Sequence, residues 1–574
     1  MPLSNHFQIL PGRAVTLKGE LGKMAILCRE NFVKRANWKG LVEVFRNRQE
    51  TNSWRSEFWG KLIRGAILMA YTSGDQELTK LIKDSVYDII STQDANGCIS
   101  TVAPENQPGL WDMWGRKYVL MGLTRYCQYI DKDPKVIDAC RKMLDHIMTQ
   151  MGPDARPATE VGYHGGLATC SMLGAVVRVY RLTGDKKYLD FAKYLVKTGC
   201  YKGDDIFKAV LAGQIPAKLG TGKAYEMTSC FQGLGELCLE TNDFPEALEI
   251  LQRYYAGVRD REIMCTGIGG GGDTWGEYWC DMALKQNLKD PKATGAMGET
   301  CITVTWIHYL ERMLQLTGDA KTVDQFELSF YNAMLGAMTL DGYNCTHRNP
   351  TPLAGGAYKI PAPDQMVLGF NHPFFGMDCC RVQSPEGLAL APLLAVMATK
   401  DTNAPVFNLY EDMEVDYNGV KYQVAGGWPF AMKDVTITLK MDAPKSFPIL
   451  FRVPEREPGK AFLEVGGKTY DAVPGTYLTV EREWKDGDVV TLHFDTTLRK
   501  RMLPTTPNSF CYMKGPVVLA EDTRLNSYHG ETTSYHVAFP MPGKTDRYLC
   551  DYAGAGNEFL EVHRFQVVFE EDQF

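Results

Sequence analysis

A short turn mark ending in aspartate recurs along the first two-thirds of this chain and constrains the fold more than any other feature. It stands at Ser73-Gly74-Asp75, Asp131-Lys132-Asp133, Thr183-Gly184-Asp185, Thr241-Asn242-Asp243 and Thr317-Gly318-Asp319. Each mark precedes a segment with apolar residues at helical spacing, such as "QELTKLIKDSVYDII" or "KKYLDFAKYLVKTG". Gly or Asn takes the left-handed conformation that closes one helix, and Asp caps the next. The marks are therefore the tips of helical hairpins. Hairpins repeating about every 50–75 residues form a solenoid or a closed ring of helix pairs. The loops between them are long and rich in Gly, Trp and Pro, which suits a ring whose loops gather at one end as a concave pocket. An (α/α)6-type helical toroid is expected over residues 21–400. The longest interval between marks, 243 to 319, holds the glycine-rich run 267–272 and the triplet Glu299-Thr300-Cys301.

After Lys400 the period changes to two. "DVTITLKM", "FPILFRVP", "TYLTVEREW" and "DVVTLHFD" alternate apolar and polar residues between Gly, Pro and Asp, as strands do. An antiparallel β-sandwich region over 401–574 follows, and the strand-like segment 1–20 ("HFQILPGRAVTLKG") is expected to pack on it. The class is multidomain α+β.

A net charge of −7 leaves no electrostatic footprint for nucleic acid or an anionic membrane. No apolar run is long enough to span a bilayer. The first ten residues lack the basic and apolar segments of a secretory signal. The 16 cysteines lie mostly within apolar helical patterns, as reduced buried thiols do. A cytoplasmic protein is expected, with a periplasmic or secreted one as the alternative.

Two cysteine sites break that pattern. Cys301, two residues after Glu299, is answered far downstream by the adjacent pair Cys379-Cys380. Three thiols and a carboxylate suffice to surround a zinc ion. Structural zinc sites usually pair cysteines two to four residues apart, however, and buried thiols are common as small hydrophobes. The spacing leaves both readings open. The run 267–272 contains the letters of a dinucleotide-binding loop, but no strand precedes it.

With Glu-x-Cys, then Cys-Cys, then a sandwich, the chain resembles glycoside hydrolase family 127, the β-L-arabinofuranosidases. "WGRKYVLMGLTRYC", "KAYEMTSCFQGLGELCLETND", "FELSFYNAMLGAMTLDG" with "RNPTPL", "GWPFAMKDVTITL", "EWKDGDVVTLHF" and "KGPVVLAED" are all similar to segments of that family. The resemblance implies a Zn2+ cofactor held by Glu299, Cys301, Cys379 and Cys380. It makes Cys379 the nucleophile, Glu277 in "WGEYW" the acid/base and Glu327 a carboxylate of the sugar pocket. Trp111, Trp114 and Trp275 offer aromatic faces to a sugar, and Lys117, Lys223, His347 and His372 complete the expected substrate contacts. The family's furanose-binding histidines are not matched: Thr169 and Lys223 stand in or near their places, and His347 where a Tyr is usual. These departures point to a related pentose, including an acidic sugar of pectin.

The expected activity is exo-acting, retaining hydrolysis of a terminal pentofuranose in an oligosaccharide or glycoconjugate, by a monomer or homodimer. One alternative keeps the fold but makes the zinc structural, with two carboxylates inverting the sugar. Another is a sugar-binding protein without activity, although a protein that only binds sugar has no need of a reactive thiol. A zinc prenyltransferase, also a helical toroid, is opposed by the sandwich.

Overall fold

Asp75, Asp133 and Asp185 each cap a helix, their side chains accepting from the backbone N–H of Leu78, Lys135 and Lys187. Gly74, Gly184 and Gly318 close the preceding helices at φ of 69°, 69° and 64°. The computed structural model describes residues 2–51, 54–272, 276–281, 297–350, 358–359, 378–460, 462–504, 506–522, 525, 535–556 and 564–571. Among them, six helices form a closed inner ring: Ser56–Ser73, Asp112–Tyr129, Leu173–Thr183, Ala224–Leu237, Thr300–Thr317 and Cys379–Ala395. Each packs on the next, and the last returns to the first.

Inner and outer helices differ as their sequences require. Ser56–Ser73 is buried at every position from Ser56 to Ala70, the mark of a helix enclosed on all sides. Its outer partner Gln76–Ile90 buries only a stripe of Leu78, Ile82, Ser85, Val86 and Ile89. The Ser56–Ser73 helix lies unusually close to both neighbours. A Cβ on Gly60 would meet the Tyr118 carbonyl oxygen at 2.4 Å, and one on Gly65 the Glu386 nitrogen at 2.6 Å. Only glycine permits those approaches, and they bring the first and last inner helices together beneath the candidate site.

The helix Cys379–Ala395 runs directly into the strand Val396–Thr399. That strand belongs to a five-stranded sheet, and a seven-stranded sheet packs against it, with the Phe407 and Tyr422 rings 5.4 Å apart. The N-terminal segment supplies one strand to each: Phe7–Ile9 pairs with Val396–Thr399, and Val15–Leu17 with Met413–Tyr417. Pairing is antiparallel except where Lys445–Val453 runs parallel to Pro405–Phe407. The C-terminal part forms a further sheet that begins with Leu498–Leu503.

Toroid and sandwich are joined by buried ions. Arg452, with no exposed side-chain surface, lies 2.8 Å from Asp324 and 2.7 Å from Glu327, and Arg456 lies 3.0 Å from Glu327. Among the described residues, no helix is long and apolar enough to cross a membrane.

Candidate active site

Four segments meet at one end of the ring. Asp378 caps the last inner helix by accepting from the Arg381 N–H, which places Cys379 and Cys380 in the helix's first turn. Behind them, Glu386 of the same helix is buried against Arg64, Arg125 and His308 at 2.7, 2.5 and 2.7 Å. Burial opposes its charge, but Arg64, His308 and Arg125 together hold its carboxyl far below the usual range. Glu386 thus ties the helix that carries the two cysteines to three other inner helices.

Glu299 ends the strand Met297–Glu299, which pairs with Arg348–Pro350, and the helix Thr300–Thr317 starts immediately after it. The Thr300 N–H donates to the His347 carbonyl and the Glu299 N–H to that of Gly269. Ligand atoms of Glu299, Cys301, Cys379 and Cys380 consequently all lie within 4.8 Å of one another. Glu299 Oε1 is 3.8 Å from Cys379 Sγ and 3.6 Å from Cys380 Sγ, and the two sulfurs are 4.0 Å apart. These four donors can hold a metal ion.

The three thiols are not equivalent. Burial pushes those of Cys301 and Cys380 well up. Hydrogen bonds from Cys301 and Cys380, with His347 close by, instead hold Cys379 well below the usual thiol range. Its place at a helix N-terminus acts in the same direction. Cys379 is also only partly buried, whereas Cys301 and Cys380 are fully so.

Glu277 and His347 border this group. His347 Nδ1 is 3.7 Å from Cys379 Sγ, and Nε2 is 4.0 Å from both Glu277 Oε1 and Glu299 Oε1. Burial works against a charge on His347, but Cys379 and Asp378 outweigh it and raise it well above the ordinary imidazole range. Glu277 is fixed by its neighbours: the Ala224 N–H donates to its carbonyl, Lys223 and Tyr278 form a backbone bridge, and the Lys223 ammonium pairs with its carboxylate. Burial opposes the Lys223 charge, and Glu226, Glu277 and Glu299 more than offset it.

Residues 16–390 match the model of the β-L-arabinofuranosidase GH127 catalytic domain, and residues 406–496 that of the GH127 middle domain. The chain belongs to glycoside hydrolase family 127. A non-reducing end β-L-arabinofuranosidase of Bifidobacterium longum subsp. longum is 21% identical over 360 residues, 57% of this chain. That match spans 52%, about half, of the relative's own length. The fold is shared with a solved GH127 β-arabinofuranosidase, at a TM-score of 0.77 and 19% identity, covering 99% of this chain and 98% of that one. It is also similar to a GH127 β-L-arabinofuranosidase from Geobacillus stearothermophilus T6, with a TM-score of 0.73, 16% identity and 97% and 99% of the two chains covered.

Several residues expected at the sugar are taken up by other groups in this GH127 chain. Glu327 has no exposed surface, and its carboxylate is taken up by Arg452 and Arg456 of the sandwich, so it locks two domains together. Lys117 is also fully buried, over the Trp114 ring at 4.1 Å, and burial pushes its amine down to about 7. Trp114 packs as core, its indole N–H donating to Glu57. Trp111 is the half-buried member of the pair, in contact with Tyr163 and His164 at 4.7 and 5.8 Å. Thr169 is spent on the Val161 carbonyl. Tyr278 is half-buried beside Lys223, while Trp279 turns into the core to donate to Tyr254. Trp275 and His372 lie outside the described residues.

Sequence reasoning missed Glu57 and Lys61. Both are buried, and Lys61 Nζ lies 3.0 Å from Glu57 Oε1 and 3.4 Å from Cys301 Sγ. A Glu and a Lys four apart on a helix read as a solvated surface pair. The available signal was their position beside or within the stretch 58–70, which apart from Lys61 and Arg64 is apolar or small on every face.

Proposed function

We propose that this protein is an exo-acting, retaining glycosidase that removes a terminal β-L-arabinofuranose or a close pentofuranose relative. Cys379 is the nucleophile, Glu277 the acid/base, and zinc the metal held by Glu299, Cys301, Cys379 and Cys380. The observation that carries this reading is the gathering of those four donors, from two segments far apart in sequence, with Glu277 and His347 grouped beside Glu299. A zinc tetrahedron with Zn–S near 2.3 Å has edges of about 3.7 Å. The separations of 3.6, 3.8 and 4.0 Å among Glu299, Cys379 and Cys380 fit it. A bound zinc ion would keep its coordinating thiols deprotonated at neutral pH.

The chain's own groups then divide the work of a double displacement. The Cys379 sulfur attacks the anomeric carbon as the bond to the leaving oxygen breaks, and Glu277 gives that oxygen its proton. A thioglycosyl bond to Cys379 results. Glu277, now a base, takes a proton from water, whose oxygen displaces the sulfur and restores the thiolate. His347, between Cys379 and Glu277, is placed to orient both.

The curated relative's name supports a terminal arabinofuranose. An acidic pentose has less support, since Lys223 is paired with Glu277 and Lys117 is buried. An inverting carboxylate pair needs about 6.5–9.5 Å between its groups to admit water. Glu277 and Glu299 do not offer such a pair, since their oxygens come within 4.8 Å and Glu299 is one of the metal donors. The need for reduced thiols favours a cytoplasmic setting.

Proton NMR of the first product from an aryl β-L-arabinofuranoside, using reduced and zinc-loaded protein, tests the reading. Release of the β-anomer and loss of turnover on chelation support it. Release of the α-anomer, or undiminished turnover after complete removal of the metal, contradicts it.

A further inference from the structure

The proposed mechanism leaves one buried cation unused. Lys61 lies in the second turn of Ser56–Ser73, is 2% exposed, and reaches both Glu57 and Cys301. Its ammonium also lies 4.9 and 5.5 Å from the ring centres of Tyr225 and Tyr118. Burying an ammonium is costly unless it is paired and hydrogen-bonded. Glu57 alone would supply a partner, yet the geometry adds a sulfur. The close approach of Gly60 to Tyr118 and of Gly65 to Glu386 fixes the depth of the helix, and with it the reach of the lysine.

The donor set explains what such a cation could do. Three thiolates and a carboxylate carry four negative charges, and a divalent ion cancels two of them. The remainder sits in a buried place, where uncompensated charge is strongly disfavoured. The surroundings of the sulfurs are also unequal, since Cys301 faces Lys61 while Cys379 faces His347.

We propose that Lys61 is a positioning residue of the metal group. Its ammonium donates to the Cys301 thiolate, offsets part of the group's excess charge, and draws electron density from that sulfur. Cys301 is thereby held as an anchor, and Cys379 remains the more reactive thiolate. The inference rests on the four donors being a metal site, and it adds a residue whose role lies in holding the metal.

Zinc affinity measured by chelator competition, together with the sulfur-to-cobalt charge-transfer band of the Co(II)-substituted protein, provides the test. Lys61→Met should weaken zinc binding roughly 10- to 100-fold, as loss of an outer hydrogen bond to a ligand does. It should also move the cobalt band to longer wavelength, because a sulfur relieved of its N–H donor gives up charge more readily. The double variant Glu57→Gln/Lys61→Met leaves no unpaired buried charge and should show the same two changes, so poor folding of the single variant does not obscure the result. Glu57→Gln alone keeps the lysine and should keep the band in place. Wild-type affinity and band position in the double variant, with one zinc bound by the wild type, would overturn the inference and leave the metal site standing. A reduced wild type that binds neither zinc nor cobalt would overturn both.

Discussion

Two buried clusters of charged and polar groups in this molecule follow opposite rules. At the contact between toroid and sandwich, Asp324 and Glu327 face Arg452 and Arg456. Burial raises the cost of a charge on Glu327, but the two guanidinium groups outweigh it and hold its carboxyl low. At the open end of the ring, the donors crowd one another. Burial and the neighbouring Glu277 and Cys379 push Glu299 well up, and Cys301 and Cys380 rise as well. One cluster has its cations built in. The other assembles more potential negative charge than Lys61, Lys223 and His347 can balance, as expected of a place reserved for a metal ion.

The contrast can be broken by exchanging what each cluster lacks. Cys379→Ser, at the open cluster, should reduce turnover on the order of 10³-fold or more without unfolding the protein, because a hydroxyl is a poor substitute for a thiolate. Steady-state kinetics and circular dichroism check this, and Cys380→Ser should instead lose metal first. Glu277→Gln should cost roughly 10²–10⁴-fold with poor leaving groups. Its effect should be much smaller with activated aryl leaving groups, and an equal loss on both would reassign Glu277 to binding. At the closed cluster the effect should appear in stability. Glu327→Gln breaks a buried pair and should destabilise the fold by about 3–5 kcal/mol in urea titrations. The KM of the folded fraction should be unchanged.

The smallest effect concerns a third, matched group. His536 lies 2.9 Å from Asp551 and 3.4 Å from Glu20 and so joins the C-terminal sheet to the first helix. Burial opposes its charge, but the two carboxylates outweigh it and raise it from 6.5 to about 9. The folded protein binds this proton more tightly than the unfolded chain. The associated stability is fully present below about pH 6.5 and is lost as the pH rises through about 9. The difference should be on the order of 2–3 kcal/mol. Urea unfolding at the two ends of that range should show it in the wild type and not in His536→Gln.

Local rules made most of the architecture legible. Asp caps, Gly closures and the change of period at Lys400 act over a few residues, and the turns at Asp75, Asp133 and Asp185 form as their chemistry requires. The cysteine pair and Glu-x-Cys could be named from their types, but their convergence depends on a ring closing between residues far apart in sequence. Glu327 misled for that reason. Nothing near it announces that Arg452 and Arg456, in another domain, neutralise it. Lys117 and Trp114 misled because a helix of the inner ring has no solvent face, so polar residues there serve one another. Lys61 stayed hidden by the same logic: its partner Cys301 lies 240 residues away.

The central claim is that Cys379, and no carboxylate, forms the bond to the sugar. A β-L-arabinofuranosyl haloacetamide or cyclophellitol-type inactivator, followed by peptide mass mapping, tests it most directly. We expect a single adduct on Cys379, blocked when substrate is present and absent from Cys379→Ser. An adduct on Glu277 or Glu299, with the Cys379 peptide unmodified, would contradict the account.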